Sequence, residues 1–348
     1  MNGPWKRGSD EPRPTERRRV SSSQVGLMLL IVSGVIAVLA PRFLSPGNLL
    51  NVCTSASVVA IVGLGMTLAI ASGNFDLSVG STAAFAGCVT MSLVQQIGVA
   101  PAILVGLATG AAVGLINGLI VTELRVPAFI ATLGMLTIVR GAALIYTGGR
   151  DIYLYGQTQY KILSSGLTPV LLALALAFVL WFVLQYTRFG RHILATGSNA
   201  ASAQRVGVRT SLVLLGVFSI VGATAALSGL ILSAQVLTGN GRLATGLELS
   251  AIAVVVLGGT PLTGGRASIV GTLQGSVLVA VINNGLNLLN VSIFYQNVTL
   301  GLLLLGALAL EARLHRSNKL SPAVAATAKR LDRARRSRRP PGDLGIWH

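Results

Sequence analysis

The stretch IVGLGMTLAIASGNFDLSVGSTAAFAG, Ile61–Gly87, decides how this chain is read. It starts as an apolar helix, breaks at Ser72-Gly73-Asn74, shows one acid at Asp76, and resumes as a second apolar helix. In hydrocarbon such a break leaves backbone donors and acceptors without helical partners. It is tolerated only where protein buries it or where it lines water. A carboxylate at that depth is costly and marks a candidate functional site. The plainer reading is a turn between two spans, with Asp76 capping the second helix. Both readings require a membrane protein.

Composition agrees. Of 348 residues, 52% are hydrophobic and only 11% charged, and the mean hydropathy is +0.73. Soluble domains carry about 25% charged residues. The 41 glycines suit close helix packing through small side chains. The apolar runs are long and unbroken, unlike the alternating segments of roughly ten residues in a β-barrel. The expected fold is therefore an all-α integral membrane protein.

Apolar runs measured against a span of about 20 residues place helices near Val25–Ala40, Val52–Ala71, Val79–Ile97, Pro101–Val121 and Ala128–Tyr146. Further ones fall near Thr168–Tyr186, Ser211–Leu237, Leu247–Leu257, Ser268–Asn284 and Val298–Ala309. That gives about ten transmembrane helices with both termini cytoplasmic, the eighth short enough to be a half-helix. The net charge of +17 fits this order. Six basic residues precede the first span and ten follow the last. Six more lie in the connections on that same side, against four opposite (Arg42, Arg150, Lys161, Arg242). This is the positive-inside pattern, and it outweighs nucleic-acid binding as the reason for the charge.

The expected division is a basic tail over 1–24, a membrane domain over 25–312 and a basic tail over 313–348. Val25 to Ala40 superficially resembles a signal peptide, but Pro41-Arg42 stands where a cleavage site needs small residues, so a retained span is expected. Cys53 and Cys88 fall in apolar runs and offer neither a disulfide framework nor metal spacing.

Catalysis is not visible. His192, His315 and His348 lie apart, and there is no HExxH, no GxSxG and no pair of intramembrane carboxylates. The loop LGGTPLTGGRA, Leu257–Ala267, is Gly-rich but has neither phosphate-cradling pattern. No catalytic residue, metal site or cofactor is expected on this chain. The outside connection Thr147–Leu167 carries Asp151, Tyr153, Tyr155, Gln157, Gln159 and Tyr160. It reads either as a contact for an extracytoplasmic partner or as a solvated loop with interfacial tyrosines.

The inside connection TRFGRHILATGSNAASAQRVGVRT, Thr187–Thr210, is the most specific signal. Asn199–Val206 is expected to form a short helix capped by Ser198 or Asn199. Arg188, Arg191, Arg205 and Arg209 surround it. It suits a docking knob for a soluble partner; alternatively its charges only set topology.

Four blocks now carry a resemblance: GMTLAIASGNFDLSVGS (Gly65–Ser81), VPAFIATLGMLTIVRGAALIYTGG (Val126–Gly149), the connection just quoted, and GLELSAIAVVVLGGTPLTGGRASIVGT (Gly246–Thr272). With NNGLNLL (Asn283–Leu289), the chain from about Asn48 to Leu310 resembles the permease subunit of an ATP-binding-cassette importer of the ribose and simple-sugar type. The resemblance implies a multi-pass protein of the bacterial cytoplasmic membrane, paired with a second copy or a paralogue. It implies a cytoplasmic ATPase that holds the ATP and Mg, and an extracytoplasmic solute-binding protein. By match of pattern it assigns Gly190, Arg191, Gly197, Asn199, Ala200, Arg205 and Gly207 to the ATPase contact. The chain departs from the family at Gly73-Asn74-Phe75-Asp76, where simple-sugar permeases usually show Gly-Gly-Ile-Asp or similar. That departure touches the solute, not the family.

Arg140 lies inside an apolar run and needs a carboxylate, carbonyls or water. One expectation is a clasp holding the broken region through Asp76 or its freed carbonyls; the other is snorkelling to the interface. The residues offered for the broken helix and a pathway are Gly73, Asn74, Phe75, Asp76, Arg140, Asn117, Asn283 and Asn287, the last two sharing a helix face. Interhelical hydrogen bonding explains the asparagines equally well. Two alternatives to sugar import stay open: a permease for branched-chain amino acids or nucleosides, and an ion-coupled secondary transporter with Asp76 as ligand.

Overall fold

The structure is a computed structural model describing residues 22–154, 156, 159–306, 308 and 309. The expected basic tails fall outside those residues except at 22–24, as do Tyr155 and Gln157. The described residues form an all-α membrane protein of helices α1 Ser22–Leu39, α2 Pro46–Ala71, α3 Val79–Ile97, α4 Val99–Thr122, α5 Ala128–Thr147 and α6 Thr168–Tyr186. There follow α7 Arg188–Ser198, α8 Ala200–Arg205, α9 Thr210–Val236, α10 Leu247–Leu257 and α11 Ile269–Leu288, then α12 Ile293–Gly306. Six of them (α2, α4, α5, α6, α9 and α11) are long and apolar enough to cross a membrane, while α10 and α12 are shorter.

Each expected run contains a helix, with boundary corrections. α2 begins at Pro46, not Val52, because proline at a first helical turn loses only an amide that would be unpaired anyway. Asn48 then ties that turn down, donating to the Phe43 carbonyl at 2.9 Å and exchanging hydrogen bonds of 2.8 and 2.9 Å with Asn284 of α11. α11 accordingly runs through Asn284 to Leu288.

α2 and α9 are the centre of the bundle. Of the most apolar 18 residues, 78% are buried in α2 and 61% in α9, against 28% in α4 and α6, which present apolar outer faces. Backbone contact between α9 and α4 depends on a glycine stripe, Gly110, Gly114 and Gly118, spaced one turn apart. A Cβ on Gly110 or Gly222 would overlap the other's carbonyl oxygen, and one on Gly114 would overlap that of Phe218. Without an apolar driving force between helices in lipid, this close approach is what holds them.

At one end, Ile152–Tyr153 pairs antiparallel with Thr238–Gly239, Ile152 opposite Gly239. Tyr160 corrects the reading of that loop as a row of interfacial tyrosines. It is fully buried, with its hydroxyl 3.1 Å from the Leu230 carbonyl and 2.8 Å from Ser233 Oγ. Burial raises its pKa, so the clasp stays neutral.

Candidate functional site

The break between α2 and α3 is built by local backbone chemistry. α2 ends in a Schellman turn: Gly73 takes φ +82°, its amide donates to Ile70 O at 2.9 Å, and Asn74 N donates to Ala69 O at 2.9 Å. Only glycine adopts that φ without cost. Gly265 of the Gly-rich loop adds a donor to Ala71 O at 2.8 Å. The freed carbonyls are thus satisfied by protein, as burial in a membrane demands.

Asp76 is 1% exposed. Its Oδ1 accepts from Ser78 N at 2.8 Å and Ser78 Oγ at 2.6 Å, an Asx-type turn that leads into α3. Its Oδ2 accepts from Asn117 Nδ2 of α4 at 3.1 Å, and the same Nδ2 reaches Ser78 Oγ at 2.8 Å. Asp76 therefore anchors the turn that leads into α3. Asn117 is fully buried in this knot. Phe75 is partly buried against the central apolar cluster.

The expected pairing of Arg140 with Asp76 is also corrected. Arg140 Nη1 donates to Gly241 O and Leu243 O, both at 2.8 Å, clasping the segment between α9 and α10. That segment bends through left-handed Leu237, Ala244 and Gly246 and so presents carbonyls inward. Glu248, in the first turn of α10, acts electrostatically on Arg140. Its Oε1 accepts from Gly246 N at 3.2 Å, and its Oε2 is buried without a hydrogen-bond partner. The sequence reading saw no second intramembrane carboxylate; its signal was one acid in the apolar run GLELSAIAVVVL. Replacing Arg140 with Gln removes two charge-assisted bonds, each of about 1.5–3 kcal/mol. Hydrogen exchange over 238–246 should then speed up while exchange in α9 stays slow.

Asn287 is exposed near the end of α11, and Asn283 is half-buried one turn earlier. The structure does not bring them to the α2–α3 break.

The connection Thr187–Thr210 is two helices, where one was expected. Thr187 caps α7, accepting from Gly190 N at 3.1 Å, and α7 continues because its residues stay amphipathic: Ile193 is fully buried while Arg188 and Arg191 are exposed. Asn199 then caps α8, its Oδ1 accepting from Ser202 N at 2.9 Å. Gly207, φ +89°, turns the chain, and Gln204 Nε2 donates to Thr210 Oγ1 at 2.7 Å. At the tip Val206 is 80% exposed between Arg205 and Arg209, both exposed. The sequence did not single out Val206. Of the residues assigned to the partner contact, Arg191, Asn199, Ala200, Arg205 and Gly207 are exposed, Gly190 is buried against the end of α6, and Gly197 faces inward.

Gly197 meets the break itself. A Cβ there would overlap Ala71 O and stand 2.7 Å from Gly265 N. A cavity of about 690 Å3 opens beside this contact, lined by Asn74, Arg125, Thr196, Ala200, Gln204 and Ser211 among others.

The comparisons with known proteins cover the same ground. The family model described as "Branched-chain amino acid transport system / permease component" matches residues 48–308. The ribose import permease protein RbsC of Escherichia coli K12 is 38% identical over 295 residues, 82% of this chain and 92% of its own. RbsC of Bacillus subtilis 168 is 38% identical over 320 residues, 87% of this chain and 98% of its own. The autoinducer 2 import system permease protein LsrC of Yersinia pseudotuberculosis is 35% identical over 297 residues, 83% of this chain and 84% of its own. No solved structure matches. The chain is a multi-pass membrane permease and belongs to the family of permease components of the branched-chain amino acid transport type.

Proposed function

We propose that the chain is the membrane-spanning subunit of an ATP-driven importer of a monosaccharide or similar small polar solute. The solute class is supported by likeness to ribose and autoinducer 2 import permeases. The carrying observation for the mechanism is the knob of α7 and α8, with exposed Val206 flanked in the chain by exposed Arg205 and Arg209, and exposed Arg191 on α7. An apolar residue flanked by exposed arginines fits a cleft with an apolar floor and an acidic rim. A soluble ATPase with such a cleft, holding ATP and Mg, hydrolyses the nucleotide, and permease side chains perform no chemistry. Gly190, Gly197, Asn199, Ala200 and Gly207 shape and hold the knob; Arg191, Arg205 and Val206 make the contact.

The reading includes about ten spans with both termini cytoplasmic, the six long helices being joined by α1, α3, α10 and α12 as shorter or less apolar crossings. It divides the chain into tails at 1–24 and 313–348 around the membrane domain 25–312, with coupling residues 187–210. It pairs this chain with a second copy or a paralogue and with an extracytoplasmic binding protein that delivers solute. Gly73, Asn74, Phe75 and Asp76 form the pivot of the change between outward and inward openings. Arg140 steadies the opposite end, and Asn283 and Asn287 offer neutral hydrogen-bonding groups along the path.

Arg205→Glu should weaken ATPase binding about tenfold or more, since like charges brought together at an interface cost several kcal/mol. Pull-down of the ATPase and uptake should both fail while membrane insertion stays normal. Unchanged uptake would refute the assignment.

A further inference from the structure

Four glycines from three distant segments meet, with the Ser198 side chain lying against Gly265. Gly197 lies in the last turn of α7 in the knob, Gly73 lies in the break after α2, and Gly264 and Gly265 lie in the loop joining α10 to α11. The Gly265 amide donates to Ala71 O at 2.8 Å. A Cβ on Gly197 would overlap that same carbonyl. A Cβ on Gly264 would stand 2.9 Å from Gly197 O and 3.0 Å from Gly73 Cα, and one on Gly265 would overlap Ser198 Oγ. Gly73, Gly264 and Gly265 hold φ of +82°, +78° and +77°, which side chains disfavour. The remainder of the knob is differently supported: Ala200 and Gln204 of α8 stand over the cavity of about 690 Å3.

From this contact we infer a mechanical joint: displacement of the knob is passed to the α2–α3 break and to the α10–α11 loop through Gly197, Gly264 and Gly265, backbone to backbone. The inference rests on the proposed docking of an ATPase on the knob and names the residues that relay its motion. Interdigitated backbones at contact distance have no rotamers to absorb displacement, so they move as one piece. The void under α8 leaves room for the knob to tilt about that piece. The positive φ of three of these glycines makes the joint intolerant of substitution. Gly197 has no such φ, so Gly197→Ala adds only a methyl group at the contact.

The test uses the complex of the full chain with its ATPase and binding protein in proteoliposomes. Gly197→Ala should reduce uptake about tenfold or more by spreading the joint, while ATPase affinity stays within about twofold because the exposed tip is untouched. A second measurement does not depend on how well that variant folds. In a background lacking Cys53 and Cys88, spin labels at His192→Cys of α7 and Thr263→Cys span the joint, and labels at Ser202→Cys of α8 and Arg125→Cys span the cavity, all outside the residues assigned to the ATPase contact. Adding ATP should leave the first distance within about 2 Å and change the second by more, as for a rigid element swinging over a void. Full uptake by Gly197→Ala, or separation across the joint as large as that across the cavity, overturns the joint. If the ATPase fails to bind even the wild-type chain, the docking reading falls and the joint with it. If wild-type binding is intact, failure concerns the joint alone.

Discussion

Asp76→Leu should leave almost no folded permease in the membrane. Asp76 satisfies three donors, Ser78 N, Ser78 Oγ and Asn117 Nδ2, all buried. Leucine accepts none of them. An orphaned buried donor costs about 1–3 kcal/mol, and even at the ~0.6 kcal/mol typical of polar pairs within a bilayer the three together cost about 2 kcal/mol. The loss falls where the Asx turn sets the direction of α3, so helix placement suffers as well as stability. Asp76→Asn keeps an oxygen for both Ser78 bonds, and Asn117 Oδ1, buried and unpartnered, is free to accept from the new amide after a flip. It should therefore retain most folded protein. Thermal unfolding in detergent checks the order: wild type, then Asn with a modest loss, then Leu at or below the limit of recovery. Equal loss in both variants would mean that the charge, rather than the hydrogen bonds, is what the site needs.

Gly222→Ala should destabilise the bundle, and Gly134→Ala should not. Both glycines lie within helices, where alanine is favoured by about 1 kcal/mol on propensity alone. A methyl on Gly222 would overlap Gly110 O and stand 2.9 Å from Gly114 N, so α4 and α9 must part. Overpacking of this kind costs about 1–3 kcal/mol, enough to reverse the sign. Gly134 has nothing within 4 Å of a Cβ, so its variant should equal or exceed wild type in detergent. Valine at the two positions should widen the gap. Parallel behaviour of the two sites would contradict backbone contact as the bond between α4 and α9.

The helix pattern was legible because hydrocarbon imposes long apolar runs, and α3, α6 and α10 begin and end where those runs do. The start of α2 was not legible, since Pro46-Gly47-Asn48 reads as a breaker until Asn48 is seen bonding Asn284 across the fold. The break at Ser72–Gly73–Asn74 was readable from its glycine and its acid, but the partners of that acid were not. Asp76 and Arg140 looked complementary in sequence, yet Arg140 is held by carbonyls of a segment about a hundred residues on, and no local pattern shows carbonyl direction. Glu248 was hidden in plain view by its apolar neighbours. The knob was visible from its glycines and arginines. Its tip was not, because exposure of Val206 depends on the turn at Gly207 and the brace from Gln204 to Thr210. The meeting of Gly73, Gly197 and Gly265 links positions far apart in the chain, and only the fold brings them together.

Solute uptake into proteoliposomes carrying this permease with its ATPase and binding protein tests the central claim most directly. Uptake of a monosaccharide should require ATP on the side of the ATPase and persist when an ionophore abolishes ion gradients. It should also vanish with Arg205→Glu. Uptake that survives without ATP and collapses with the ionophore would contradict the account and return Asp76 to the role of a coupling-ion ligand.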